Sequence, residues 1–133
     1  MQRKQARENA FILIFECIFK KDETAEEIFK KATEIRGLEY DDFVKNVFFG
    51  SYENADVIEH AVEKHLTGWK KERVSPVSMA ILRLAAYEMM FLEDIPARVS
   101  INEAVELSKK YDDEKSYAFV NGVLHAVADE FAK

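Results

Sequence analysis

The sequence predicts an all-α protein, a compact bundle of six to seven helices. Its 133 residues include only two prolines and four glycines, whereas a β-rich fold needs many tight turns. Apolar residues make up 48% and charged residues 33% of the chain, which is typical of a globular protein. Apolar residues also recur with a period near 3.6, which indicates helices rather than strands. We expect a chain of this length to form one domain, residues 1–133.

The first helix is predicted over residues 2–20, and its character changes along its length. Arg3, Lys4 and Arg7 are three or four positions apart, so their charges share one face near the N-terminus. Over residues 11–19, apolar side chains surround the helix on nearly all sides. Such a helix is either buried within the bundle or partly covered by a partner, and burial is the simpler interpretation.

The second helix is predicted to run to about Arg36. Either Asp22 or Thr24 can cap its first turn, and Gly37 is a natural stop after its last. Its apolar residues recur at helical spacing and form one face.

The third helix is predicted over residues 41–65 and is expected to end at 67–69, a Thr-Gly-Trp segment. Gly50 lies within the apolar pattern of this helix. A glycine inside a helix costs about 1 kcal/mol relative to alanine, and we expect close packing at this position to offset that cost.

The fourth helix begins at Ser75-Pro76, with serine as the cap and proline at the first helical position. The segment that follows contains few polar residues, which predicts the central helix of the bundle. One acid, Glu88, interrupts it. A buried carboxylate needs a partner, and a structural hydrogen bond is the simplest role for this residue.

The last two helices are predicted from their start signals. Ser100 and Glu103 form a capping box for the fifth helix, and Ser116 can cap the sixth. Asn121-Gly122 would suggest a hairpin turn elsewhere, but its flanks have helical periodicity. We therefore predict that this pair is helical and that Gly122 allows another helix to approach closely.

The charge of the chain is unevenly distributed. The net charge is −6, yet residues 1–7 carry three basic and no acidic side chains. The remainder therefore has 16 basic and 25 acidic side chains, a charge of −9. A basic tip on an acidic body can bind phosphate locally while it repels phosphate elsewhere, which argues against bulk nucleic-acid binding.

Cysteine usage and the N-terminal segment bear on the compartment. Cys17 is the single cysteine, so neither an intramolecular disulfide nor a cysteine-based zinc site can form, and its apolar surroundings predict a protonated thiol. This composition fits a cytoplasmic protein. The apolar segment 11–19 is short and contains Glu16, which makes it a poor signal peptide and far too short for a membrane span.

No motif of the chain indicates an enzyme. His60 and His65 are five positions apart, about 140° around a helix, which is a poor arrangement for a shared metal ion. The four glycines are scattered and form no phosphate-binding loop. We therefore expect neither catalysis nor a cofactor nor a metal.

Several segments, taken together, resemble the NusB family along about residues 3–130. The segments are RKQARENA (3–10), AILRLAAYE (80–88), DIP (94–96), SINEAVELSK (100–109) and FVNGVL (119–124). The resemblance implies a compact helical fold of two small subdomains. It also implies pairing with NusE, a small-subunit ribosomal protein, and recognition of the single-stranded boxA RNA element. That assembly joins elongating RNA polymerase and suppresses premature termination, notably on ribosomal RNA operons.

The resemblance also implies roles for individual residues. Six positions match the RNA-binding segment, the RNA surface or its neighbouring loop: Arg3, Lys4, Arg7, Arg83, Lys115 and Phe119. Two aromatic positions match the NusE-facing side: Phe15 and Tyr111. The chain departs from the usual family pattern at Gln5, where many relatives carry arginine, and at Phe15, where tyrosine is common. The change at Gln5 thins the basic cluster, and the change at Phe15 removes a hydroxyl that could bond to the protein partner. We therefore expect weak RNA binding by the isolated chain.

Two other functions remain open on the sequence. NusB-like domains also serve as RNA-targeting modules of ribosomal RNA cytosine methyltransferases. Alternatively, the chain is a protein–protein module whose basic tip supports solubility or dimerisation. Some relatives form dimers through the surface that others use for RNA, so a homodimer is also possible.

Overall fold

The computed structural model describes residues 1–66, 68 and 70–131. Within these residues the chain forms seven α-helices and no β-strand, which confirms the predicted all-α class. A π-helical turn, Lys31–Ile35, extends the second helix, and a 3-10 turn, Lys71–Arg73, precedes the fifth. The helices are α1 (Arg3–Phe19), α2 (Ala25–Lys30), α3 (Asp42–Glu53), α4 (Ala55–Glu63), α5 (Pro76–Phe91), α6 (Ala97–Tyr111) and α7 (Ser116–Glu130).

Helix α5 is the centre of the bundle, as its apolar sequence predicts. Eleven of its sixteen residues are buried, and it contacts α1, α3, α4, α6 and α7. Helix α1 also packs against α2 and α3, and α6 packs against α7, while α4 contacts both α3 and α7. Two helical groups therefore share one core. None of the described helices is both long enough and apolar enough to cross a membrane.

The predicted starts of α2 and α5 are confirmed. The hydroxyl of Thr24 accepts a hydrogen bond from the Glu27 amide, and the Glu27 carboxylate accepts one in return from the Thr24 amide, which together make a capping box. Ser75 accepts a 3.0 Å hydrogen bond from the Ser78 amide, with Pro76 at the first helical position.

The predicted third helix is wrong in one respect, because two helices occupy its place. Asn54 interrupts the helix between α3 and α4, and its side-chain amide donates a 2.8 Å hydrogen bond to the carbonyl of Gly50. The same carbonyl also accepts the backbone amide of Asn54 at 3.0 Å, so Asn54 closes the last turn of α3 with two hydrogen bonds to one oxygen. Thr67 and Trp69, two of the three residues at the predicted end of this segment, lie outside the described residues.

The capping box predicted at Ser100 is also wrong. Helix α6 already begins at Ala97, directly after Pro96, so Ser100 lies within its first turns. Its side chain is buried, and its hydroxyl donates a 2.9 Å hydrogen bond to the Glu88 carboxylate. A polar residue that the local pattern assigned to a helix end instead satisfies a buried acid on a neighbouring helix.

Two expectations for α7 need correction. The carboxylate of Asp113, rather than the Ser116 side chain, caps the helix, because it accepts hydrogen bonds from the amides of Lys115 at 2.9 Å and Ser116 at 3.0 Å. Gly122 is helical as predicted, but a Cβ placed there would meet nothing within 4 Å. Gly122 therefore marks no close approach, whereas Gly50 does, against the ring of Tyr87.

Candidate nucleic-acid and partner interfaces

The first basic group predicted from sequence is partly internal. The Arg7 side chain is only 6% exposed and forms a two-point ion pair with Glu88, with Nε–Oε2 at 2.8 Å and Nη2–Oε1 at 3.0 Å. A second carboxylate, that of Glu103, lies 3.8 Å from the guanidinium. Arg7 and Ser100 are thus the partners that a buried Glu88 requires. Arg7 joins α1 to α5 and α6.

Arg3 and Lys4 are exposed on the same end of α1. The guanidinium carbon of Arg3 lies 4.0 Å from the ring centre of Phe43 on α3, close enough for a cation–π interaction. Lys4 lines a small cleft of about 160 Å³ between α1 and α6, together with Glu8, Glu106 and Lys110 among others. These two cations are therefore the ones that α1 presents to solvent.

A second group of predicted residues comes together at the start of α7. Lys115 and Phe119 line an open cleft of about 640 Å³, with Arg73 contributed by the 3-10 turn before α5. Lys115 is exposed, and Phe119 is half-buried and packs against the core. The cleft therefore offers an aromatic side chain beside two cations, a combination suited to stacking a base and binding its phosphate.

Arg83 lies on α5 between these two groups and is paired with an acid. One of its terminal nitrogens is 3.4 Å from the Glu59 carboxylate. Its buried Nε has no hydrogen-bond acceptor among the described residues. The same carboxylate also pairs with Lys71. The hydrogen bond from Lys71 lowers the pKa of Glu59 by more than partial burial raises it, so this pKa lies below its usual value.

The six predicted RNA-binding residues do not form one compact site. Arg7 contacts Glu88 near the C-terminal end of α5, whereas the cleft of Lys115 and Phe119 lies against Ser78 near its N-terminal end. The ten residues that separate Ser78 from Glu88 span about 15 Å of helix. Any RNA that contacts both groups must extend along the surface of the bundle.

The two predicted partner-binding aromatics belong to one row of rings, which we call the aromatic row. Phe11 joins its two predicted members, with ring centres 5.0 Å from Tyr111 and 6.2 Å from Phe15. Phe15 in turn lies 4.9 Å from Phe19, whose side chain is 60% exposed. The expectation of burial therefore holds for Phe11 but fails for the end of α1, where an apolar surface remains open to solvent.

Glu8 connects the aromatic row to the basic end of α1. Its carboxylate accepts hydrogen bonds from the Tyr111 hydroxyl at 2.6 Å and the Lys110 ammonium at 2.8 Å. Partial burial alone would raise the pKa of Glu8, but these two hydrogen bonds lower it below its usual range. The last turn of α6 is thereby attached to the first turns of α1.

The described residues place no three His, Cys, Asp or Glu side chains where they could share a metal ion. Burial, followed by the neighbouring Glu16 carboxylate, raises the pKa of the Cys17 thiol to about 11, which confirms the predicted protonated state. His65 instead pairs with Glu130, with Nε2 2.7 Å from its carboxylate.

Three residues of these interfaces were missed by sequence reasoning. They are Phe43 beside Arg3, Arg73 in the cleft of Lys115 and Phe119, and Glu8 bonded to Tyr111, none of which the sequence analysis singled out. Their partners lie on distant segments of the chain, so spacing within one helix carried no signal for them.

Comparisons with known proteins agree on one family. The sequence model of the NusB family matches residues 4–129. The transcription antitermination protein NusB of Bacillus licheniformis is 43% identical over 130 residues, which cover 98% of each chain. The solved structure of T. maritima NusB matches with a TM-score of 0.89 at 34% identity, covering 100% of this chain and 94% of that one. A structure of the antitermination factors NusB and NusE in complex with dsRNA matches with a TM-score of 0.84 at 30% identity, covering 96% of each chain.

Proposed function

The chain belongs to the NusB family, and from this premise we propose that it acts in transcription antitermination by binding RNA together with a protein partner. In this proposal the RNA is the single-stranded boxA element of nascent ribosomal RNA transcripts. The partner is NusE, a small-subunit ribosomal protein, and the assembly joins elongating RNA polymerase in the cytoplasm. The chain itself performs no catalysis.

The observation that carries the RNA part of the proposal is the cleft at the start of α7. Phe119 lines this cleft together with the cations Lys115 and Arg73, and a base that stacked on its ring would gain about 1–3 kcal/mol. Arg3 and Lys4 add two exposed cations at the other end of α5. Four phosphate contacts, one from each of these cations, give a salt slope of about −3 for single-stranded RNA, which is modest. NusE therefore adds the contacts that tight binding requires.

The aromatic row supports the partner part of the proposal. Contiguous apolar patches that are exposed on a domain mark interaction sites, whereas single exposed apolar side chains do not. Phe15 and Phe19 supply the apolar area, and Tyr111, bonded to Glu8, supplies a polar edge. Aromatic anchors with polar neighbours are the usual centre of a protein–protein interface. NusE bound here would lie beside the basic end of α1.

The methyltransferase-module alternative has less support. The B. licheniformis relative carries the name of an antitermination protein and is covered over 98% of its own length by this match. The similar NusB–NusE complex contains RNA and a protein partner together. That complex contains duplex RNA, whereas our proposal is single-stranded boxA, so the test includes both forms.

The proposal is tested by fluorescence anisotropy with labelled boxA RNA, its duplex form and a scrambled strand, each with and without NusE. The variants are Phe119→Leu, which keeps apolar volume but removes the ring, and Lys115→Gln. Lys30→Gln, at an exposed lysine on α2, is the matched charge control. We expect selective binding of single-stranded boxA, stronger with NusE, weaker in both cleft variants and unchanged in the control.

Three results would count against the proposal. Equal affinity for boxA and the scrambled strand, even with NusE present, would remove sequence-selective RNA recognition. A preference for the duplex would remove base stacking as the mode of binding. If saturating NusE left the affinity for boxA RNA unchanged, the two proteins would not bind the RNA jointly.

A further inference from the structure

The basic residues at the start of α1 are held by two different arrangements. Arg7 is directed inward, to Glu88 and Glu103, while Arg3 lies over the aromatic ring of Phe43. The guanidinium of Arg7 is itself 5.7 Å from the same ring centre, so Phe43 lies beside both arginines. The three cations that share one face by spacing are therefore not equivalent in the folded protein.

Arg7 is poorly placed to bind phosphate. Its side chain is almost fully buried, and two of its nitrogens already donate to the Glu88 carboxylate. Together with Glu88 and Glu103 it makes a group of net charge −1, which repels an anion. Exchanging the carboxylate for a phosphate would leave a buried acid without its cation, at a cost that one phosphate contact does not offset.

Arg3 is in the opposite situation. A ring that contacts the face of a guanidinium leaves the N–H groups at its edge free to donate, and these groups match phosphate in a two-point arrangement. The contact with Phe43 also restricts a long side chain that would otherwise lose conformational entropy on binding. Because α3 supplies Phe43, the position of Arg3 depends on the packing of α1 against α3.

We propose that the basic end of α1 is a preorganised phosphate-binding edge in which Phe43 positions Arg3. The Arg7–Glu88 ion pair fixes the helix that carries it, and Arg7 itself contacts no phosphate. This inference rests on the proposed RNA binding. It assigns Phe43, Arg7 and Glu88 as positioning residues and leaves Arg3 and Lys4 as the phosphate ligands of this end.

A double-mutant cycle tests the role of Phe43. Phe43→Leu keeps an apolar side chain but removes the ring, and we expect it to weaken boxA binding about two- to fivefold, the size of an exposed cation–π contact. In an Arg3→Ala background the same change is expected to have no further effect. An equal loss in both backgrounds would mean that Phe43 acts only through general stability, which would overturn its assigned role.

The salt dependence of RNA affinity tests the role of Arg7. Arg3→Ala and Lys4→Ala are each expected to reduce the salt slope by about 0.7, the value for one lost phosphate contact. The paired change Arg7→Gln with Glu88→Gln replaces the ion pair with two amides and is expected to leave the slope unchanged. A reduction of about 0.7 in this variant would place Arg7 on a phosphate and overturn the inference.

A measurement on the unaltered protein guards against misfolding of the paired variant. The Nε–H resonance of Arg3 is expected to shift when boxA RNA is added, and that of Arg7 to stay in place. A shift at Arg7 as large as that at Arg3 would overturn the inference. If the unaltered protein binds no RNA even with NusE present, the proposed function fails together with this inference. If RNA binds but the salt slopes, the double-mutant cycle or the Arg7 resonance contradict the expectations above, only this inference fails.

Discussion

The hydroxyl of Tyr111 donates a 2.6 Å hydrogen bond to the carboxylate of Glu8, although 103 positions separate the two residues. This bond attaches the end of α6 to the start of α1 and sets the Tyr111 ring against Phe11. Burial, followed by the hydrogen bond to Glu8, raises the pKa of Tyr111 to about 12. The bond thus links the basic end of α1 to the aromatic row.

Replacing Tyr111 by phenylalanine is expected to reveal a pH-dependent contribution to stability. The neutral phenol donates to Glu8, so the stabilisation is fully present below pH 10, the usual pKa, and is lost as the pH rises through about 12. Tyr111→Phe is expected to lower the free energy of unfolding by about 1 kcal/mol at pH 7. That difference from the unaltered protein should shrink between pH 10 and pH 12 in urea titrations.

The control for this experiment is Tyr52→Phe, at an exposed tyrosine on α3. Its free energy of unfolding is expected to stay within about 0.5 kcal/mol of the unaltered protein at each pH. The interpretation fails if Tyr111→Phe changes nothing at pH 7, or if its effect grows as the pH rises toward 12.

Loss of Arg7 is expected to damage the fold more than the loss of any exposed basic residue. Arg7→Ala deprives the buried Glu88 carboxylate of its cation, which costs about 3–5 kcal/mol. Arg3→Ala is the matched control, because Arg3 is exposed and its loss is expected to cost less than about 1 kcal/mol. Urea unfolding followed by circular dichroism measures both. Equal stabilities for the two variants would contradict the buried ion pair.

Helix positions were predictable wherever a local signal decided them. The Ser75-Pro76 start and the Thr24 cap operate within one turn, so the sequence alone locates them. The break at Asn54 was missed because the apolar pattern continues through it, although the backbone leaves the helical conformation there, with φ −108° and ψ 23° at Asn54. Ser100 was misassigned because its true partner, Glu88, lies on another helix.

The candidate site was predictable only in part for the same reason. Spacing placed Arg3, Lys4 and Arg7 on one face of α1, but it carried no information on how deeply each side chain is buried. Which arginine is buried depends on Glu88, 81 positions away from Arg7. Pairs of residues this far apart in sequence therefore decide which cation is buried and which remain exposed.

Two glycines in helices are expected to respond oppositely to alanine. At Gly50 a Cβ would lie 2.6 Å from Cζ of Tyr87, whose ring is buried and stacked on Phe91 with centres 5.1 Å apart. The resulting overpacking costs about 1–3 kcal/mol and outweighs the gain in helix propensity. At Gly122 the Cβ would meet nothing within 4 Å, so alanine should stabilise the protein by about 0.5–1 kcal/mol.

Thermal unfolding of the two alanine variants measures this contrast directly. The pair is informative because the chemical change is the same and only the surroundings differ. A combined Gly50→Ala, Tyr87→Phe variant is expected to recover part of the loss, since the Tyr87 hydroxyl is the atom nearest to the new Cβ. A higher melting temperature for Gly50→Ala alone would show that α3 and α5 are not closely packed there.

Truncation of the aromatic row is expected to weaken the protein partner's binding without unfolding the bundle. Phe19 is 60% exposed, so Phe19→Ala should change the free energy of unfolding by less than about 0.5 kcal/mol. If NusE covers this ring, its affinity should fall at least about tenfold, as for an aromatic anchor at an interface. Ile35→Ala is the control, because Ile35 is 77% exposed but lies on the π-helical turn, outside the row. Calorimetric titration with NusE distinguishes the two surfaces. Weaker NusE binding by Ile35→Ala, together with unchanged binding by Phe19→Ala, would contradict the assignment of the partner to the aromatic row.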